Sequence, residues 1–264
     1  MSQAALSQLL DQIGGAHITA FFLVLARVGP LFVLAPLFSS KLVSARIRSV
    51  VAVGLAMGLT GVAAHGQHLP TSPLPVAGLL VVQLLVGLAF AFAVGAVFAA
   101  VQGAGTFIDA LAGFSFGQMI DPVDGSQSGV ISELYGMVGV VLFIAVGGDA
   151  WTLRGLARTF DLVPLTRGPQ LSSMVGGVEQ AFASIFTSAL EIAAPAMLAL
   201  LITDVAFGVV SRVVPQMNVF AVGFPTKIGV AILIVAASLP FLGGWLSGQL
   251  ANSVSTALHS ITTV

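Results

Sequence analysis

Cysteine is absent from the 264 residues, which removes disulfides and thiolate metal sites together. Charge is scarce as well: Asp, Glu, Lys and Arg make up 7% of the chain, against roughly a quarter in an ordinary soluble domain. What charge there is nearly cancels, at a net −1, so neither nucleic acid nor an acidic surface is implied as a partner. No Cys/His pair, metal-binding histidine motif, Gly-rich phosphate loop or nucleophile elbow occurs, so the sequence predicts neither an enzyme nor a cofactor. The four histidines, His17, His65, His68 and His259, lie at segment edges. His65 and His68 share a Pro-rich loop without a third ligand, which is a poor basis for a metal site. The N-terminus has no Lys or Arg and places Asp11 ahead of the apolar region, unlike a cleaved signal peptide.

What remains is apolar. Hydrophobic residues form 57% of the chain, and a mean hydropathy of +1.07 is spread along the whole length, which is the composition of a membrane protein with no separate soluble domain. Lipid cannot satisfy backbone polar groups, and the period-2 alternation of barrel strands is missing, so the spans must be helices. Six apolar segments are predicted, at 18–38, 47–64, 74–101, 130–148, 181–210 and 219–245, inside a single all-α domain covering 1–264. They are preceded by an amphipathic helix over 1–16, from Leu6, Leu9, Leu10 and Ile13 at helical spacing; a frayed tail is the competing reading. Small residues four apart, Gly54 with Gly58 and Ala91 with Gly95 and Ala99, either permit close helix contact or reflect chance in an Ala/Gly-rich chain.

Topology is poorly signalled. With alternating crossings, Lys41, Arg46, Arg48 and Arg212 fall on one side and Arg154, Arg158 and Arg167 on the other, so the positive-inside count decides little. The segments 74–101 and 181–210 are too long and interrupted for one plain crossing, which predicts kinked or broken helices, some packed against partner subunits instead of lipid. Inside the apolar segments, or in the apolar continuation of one of them for Asp109, stand Arg27, Asp109, Glu191 and Asp204, with Arg212 and Lys227 at boundaries. Ionisable groups at such depth are candidates for function by default. One reading is the proton or ion relay of a secondary transporter; the other is structural pairing, for instance of Arg27 with Asp204 or Glu191. Glu191 and Asp204 are 13 residues apart and so about 140° apart around one helix, which rules out a dyad there.

The stretch "GFSFGQMIDPVDGSQSG", from Gly113 to Gly129, holds two aspartates and no cation. Phe114, Phe116, Met119 and Ile120 suit a seal, because rings and a flexible thioether fill irregular constrictions. Gly113 and Gly117 give the backbone freedom, while Asp121 before Pro122 ends the segment. An interfacial loop with inserted aromatics is the alternative.

Three stretches carry a resemblance. "SRVVPQMNVFAVGFPTKIGVAILIVAASLPFL", Ser211 to Leu242, contains Pro215, Gln216, Asn218, Val219, Phe220, Val222, Gly223, Pro225 and Lys227 in the P-Q-x-N-V-F and V-G-x-P-x-K order of the FliR family. "GTFIDALAGFSFGQMIDP", Gly105 to Pro122, and "LARVGPLFVLAPLFSSKLVSARIRSVVAVGLA", Leu25 to Ala56, are similar to two further family segments. Glu191 departs from the pattern. Related injectisome proteins look similar but usually lack the Val-Gly before the proline. The resemblance implies a subunit of the type III export gate of the bacterial inner membrane and flagellar basal body, in a helical hetero-oligomeric assembly with FliP and FliQ, adjoining FlhB. There it would pass unfolded export substrates, with Gly113, Phe114, Ser115, Phe116, Gly117, Gln118, Met119, Ile120, Asp121 and Pro122 as a plug loop. Pro215, Gln216, Asn218, Phe220, Gly223, Pro225 and Lys227 are expected to pack against a neighbouring subunit, with Pro215 and Pro225 punctuating a helical hairpin and Asn218 satisfying backbone groups at its turn. No metal site is implied, and the remaining contacts are with membrane lipid.

Overall fold

A computed structural model describes residues 3–35, 44–114 and 129–262 of the chain, and among them all regular structure is helical. The helices are α1 (Gln3–Val28), α2 (Leu31–Leu34), α3 (Ala45–Ala63), α4 (Pro73–Ala112), α5 (Val130–Ala145), α6 (Gly148–Leu162), α7 (Leu171–Val213) and α8 (Val219–Ile261). Five stretches are long and apolar enough to cross a membrane: Gly14–Leu34, Ala45–Ala63, Pro73–Ala112, Leu171–Val213 and Ala221–Ile261. The α5 and α6 helices pass the same test only together, across the break at Val146 and Gly147.

Helix lengths depart from the apolar segments. The α4, α7 and α8 helices have 40, 43 and 43 residues; at 1.5 Å per residue each is about 60–65 Å long, twice a hydrocarbon core of about 30 Å. Hydropathy marks where a helix tolerates lipid, not where it stops. The polar starts and ends of α7 and α8, "LSSMVGGVEQ" and "SGQLANSVSTALHSI", lower the hydropathy without breaking the helix. Correspondingly, the expected helix at 1–16 is not separate but runs without interruption into the first span. The segment 18–38 breaks instead at Gly29 and Pro30, where proline has no amide hydrogen to continue the ladder. Arg154 and Arg158, placed in a loop by the topology count, lie on α6. Pro225 does not punctuate a hairpin either, since α8 continues through it and through Pro240.

The chain divides into two compact units, each assembled from separated stretches. The first comprises residues 1–95, 149–182 and 250–264. Here α1 and α2 pack on α3, and Val86, Ala89, Val163, Met174 and Ile261 form a core bordered by Leu162, Val178 and Leu258. The α3 helix begins at Ser44, whose hydroxyl accepts from the Ile47 amide at 3.4 Å, an N-cap bond that satisfies one of the four orphan donors of a helix start. Its Gly54 and Gly58 face open space, so this pair makes no close helix contact among the described residues, whereas Gly95 lies against the main chain of Leu34.

The second unit comprises residues 96–148 and 183–249. Phe98 and Phe143 meet as a tilted ring pair at 5.1 Å between centroids, buried with Ile108, Tyr135, Ala193, Leu200, Ala231 and Leu246. The Tyr135 hydroxyl hydrogen-bonds that of Ser238 at 3.3 Å.

Close approach explains one glycine of the first unit. A Cβ on Gly87 would lie 2.8 Å from the carbonyl carbon and 2.9 Å from the Cα of Arg27, and closer still to its oxygen. Main chain cannot step aside as a side-chain tip can. Gly87→Ala is therefore expected to destabilise by about 1–3 kcal/mol, as overpacking does. Gly78→Ala, on the same helix with nothing within 4 Å, should be neutral or slightly stabilising. Paired thermal melts of the two variants in detergent check this, and equal melting temperatures would contradict it.

Candidate functional site at the base of the 113–129 segment

The α4 helix ends in a left-handed glycine cap. The Gly113 and Phe114 amides both donate to the Asp109 carbonyl at 3.1 Å, with Gly113 at φ +89° in the left-handed region that glycine enters without penalty. The same Asp109 starts α5. One carboxylate oxygen accepts from the Ile131 amide at 3.0 Å and the other from the Ser132 amide at 2.9 Å. Those amides belong to the first turn of α5, whose N-cap, Gly129, supplies no side-chain cap. A side chain from another helix therefore does the capping.

One residue thus fastens both ends of the segment between Phe114 and Gly129. Asp109 is 2% exposed, and no cation pairs with it among the described residues. Its charge is balanced by two charge-assisted hydrogen bonds and by the positive end of the α5 dipole. Packing around it is close: a Cβ on Gly129 would collide with the carboxylate, and one on Gly105 with the main chain of Ser132. Ser132 Oγ donates to the Gln102 carbonyl at 3.2 Å and lies 3.2 Å from Thr106 Oγ1, which donates to it. The α4–α5 corner is in this way closed by hydrogen bonds on both helices.

Arg27 performs the opposite operation in the first unit. Fully buried, it donates through Nη1 to the Thr159 carbonyl at 2.8 Å and through Nη2 to the Val163 carbonyl at 2.8 Å, both at the C-terminal end of α6. Nε donates to Gln83 Oε1 at 2.7 Å, as does Nη2, and the guanidinium carbon lies 4.4 Å from the Phe160 ring centroid. Gln83 Nε2 in turn donates to the Leu165 carbonyl at 3.0 Å. A cation at a helix C-terminus has the favourable sign. The expected pairing of Arg27 with Asp204 or Glu191 is therefore not made: carbonyl dipoles and a neutral amide take the place of an acid.

The other two acids have their own partners. Asp204 forms an ion pair with Lys227, at 2.8 Å to Oδ1 and 3.0 Å to Oδ2, across α7 and α8. Glu191 accepts from Trp245 Nε1 at 3.3 Å. In the α7–α8 turn, Asn218 Oδ1 accepts from the Ala221 amide at 3.1 Å, capping α8. Pro215 and Gln216 lie in that turn, and a Cβ on Gly223 would stand 3.6 Å from the Phe207 ring, in ordinary van der Waals contact. Of the proposed plug, Gly113 and Phe114 are described, whereas Ser115, Phe116, Gly117, Gln118, Met119, Ile120, Asp121 and Pro122 lie outside the described residues, as does the side chain of Phe220. Sequence reasoning missed Gln83, Ser132, Thr159 and Trp245. Only Gln83 had a usable signal, a lone amide in the apolar run "LLVVQLLVG".

An all-helical membrane protein in which the buried Arg27 and Asp109 cap helix ends, and whose two units interleave along the sequence, is a scaffold held by helix geometry. Residues 18–253 match the family described as bacterial export proteins, family 1. The chain belongs to that family, the FliR family of type III export proteins. It is 32% identical over 227 residues to the flagellar biosynthetic protein FliR of Escherichia coli (strain K12), covering 84% of this chain and 85% of that protein. It is also 32% identical over 231 residues to FliR of Bacillus subtilis (strain 168), covering 84% and 88%. The surface presentation of antigens protein SpaR of Shigella flexneri is 28% identical over 214 residues, covering 80% and 82%.

Proposed function

We propose that this chain is a subunit of the flagellar type III export gate in the bacterial inner membrane, at the flagellar basal body. In this reading it assembles with FliP and FliQ beside FlhB, and the segment from Gly113 to Pro122 seals the channel until an unfolded flagellar subunit passes. The observation that carries the seal is the fastening of both segment ends by Asp109. A seal must return to one place after each passage, and a fixed base supplies that return. Its sequence of paired rings and a thioether between glycines suits contact with varied substrates, because such groups adapt without specific chemistry. Helices about twice as long as a bilayer is thick fit an assembly that covers much of its helix surface with protein.

The transporter reading draws less support, since Asp109 is engaged with two backbone amides, Asp204 with Lys227 and Glu191 with the Trp245 indole. The injectisome reading rests on the 28% identity to SpaR of Shigella flexneri, below the 32% to FliR of Escherichia coli and of Bacillus subtilis. Restored swimming in a strain lacking its own FliR separates the two branches. Deletion of Phe114 to Met119 is expected to make the assembled channel leak small ions and metabolites at rest. Unchanged membrane conductance would exclude the sealing role.

A further inference from the structure

Glu191 lies near the middle of α7, 20 residues after Leu171 and 22 before Val213, with apolar turns on both sides. It borders an open groove of about 200 Å³ in the second unit, lined also by Ile192, Pro195, Ser238, Phe241, Leu242 and Trp245. Three features give this groove a definite chemistry. The carboxylate has one neutral donor, the Trp245 indole, and no cation among the described residues. Pro195 has no amide hydrogen to offer the Glu191 carbonyl four residues earlier, so a second oxygen beside the carboxylate lacks its helical donor. The rings of Trp245 and Phe241 add π faces, with Phe241 79% exposed. Two oxygen acceptors beside aromatic faces, in an otherwise apolar groove, are the complement of a guanidinium or ammonium group.

The surroundings decide what carries that cation. Leu190, Leu198, Leu201 and Ile202 are exposed along α7, so this surface is covered by acyl chains or by another helix. Acyl chains would leave the carboxylate uncompensated in hydrocarbon, which is costly. A second copy of the chain has little to offer at this depth: on its apolar helices Arg27 is fully buried, Lys227 is already paired with Asp204, and Arg46, Arg48 and Arg212 stand in the first turn of α3 or the last turn of α7, whereas Glu191 is mid-helix.

We infer that the Glu191–Trp245 groove docks an apolar helix of a different polypeptide, one arginine or lysine of which enters the groove and pairs with Glu191. The inference rests on the reading that the chain works in a hetero-oligomeric gate, and it adds where and by what chemistry one neighbour is held. The test uses full-length protein in bacterial membranes, with a photoreactive phenylalanine analogue at position 241. Illumination should give an adduct to another polypeptide, mapped by mass spectrometry to an apolar segment containing Arg or Lys. Glu191→Gln should reduce that adduct at least tenfold, and Glu191→Arg combined with a glutamate in place of the mapped cation should restore it. If the glutamine variant accumulates poorly, the charge-swapped pair decides alone, since failure to restore overturns the pairing. An adduct to lipid, to a second copy, or to a segment without a cation overturns the inference, as does an adduct indifferent to Glu191. Co-purification run in parallel separates the two readings: an intact hetero-oligomer with any of those results refutes only the groove, while no hetero-oligomer refutes the gate as well.

Discussion

Arg27→Met is expected to be the most damaging single substitution in the chain, lowering stability by about 3–5 kcal/mol and preventing accumulation in the membrane. Methionine matches the volume and suits the apolar surroundings, so the loss isolates the polar role. Without the guanidinium, the Thr159 and Val163 carbonyls and Gln83 Oε1 lose their donor where no water reaches, and each buried orphan costs about 1–3 kcal/mol before relaxation. Arg27→Lys should fail nearly as badly. An ammonium is a point donor and cannot span three acceptors that the planar fork reaches at once. The internal check is a double-mutant cycle. Gln83→Leu is expected to be destabilising alone but much milder on top of Arg27→Met, because removing both partners of a buried hydrogen bond is less harmful than removing one. Melting temperatures and folded yields of the four proteins in detergent measure this, and strict additivity would refute the network.

Asp109→Ala should rank second, at about 2–4 kcal/mol, the sum of a lost helix cap and two buried amides without acceptors. Unlike the arginine substitution, its effect is local. The first turn of α5 and the last turn of α4 should lose protection while the first unit keeps its own. Hydrogen exchange read by mass spectrometry is therefore expected to rise over residues 129–134 and stay unchanged around Arg27. Asp109→Asn keeps one acceptor oxygen and the shape but loses the charge, so about half the effect should remain. If the alanine variant exchanges like the parent at α5, the carboxylate is not what holds that corner. If export fails in the asparagine variant while the fold persists, base position matters to passage independently of stability.

How much of this was legible in the chain follows from what each signal measures. Hydropathy located the spans, because lipid-compatible side chains are needed wherever a helix meets hydrocarbon. It could not give the lengths of α7 and α8, since "LSSMVGGVEQ" is polar yet still a good enough helix to extend the apolar part. The break between α5 and α6 was hidden for a related reason: Gly147, at φ +70°, looks in sequence like any of the 30 glycines. The buried charges were visible as anomalies, but their partners were not. An arginine at membrane depth suggests an acid, and the fold answered with the carbonyl end of α6; an aspartate suggests a proton path, and the fold answered with the amide end of α5. Helix termini carry no residue letter, so only a structure reveals that they stand in for counter-ions. The Asn218 cap could be anticipated, because a cap is local: the side chain needs only the amide three residues ahead.

The fastening at Asp109 also sets a geometric limit. With Phe114 and Gly129 held at one point, 15 peptide links run out and back, so no atom of the backbone between them can stray more than about 26 Å from that point at full extension. The segment is a tether of known length. A pore sealed by this segment, as proposed, must place Asp109 within that radius of its axis, so in that reading the corner of α4 and α5 stands beside the channel and serves as a ruler for the assembly.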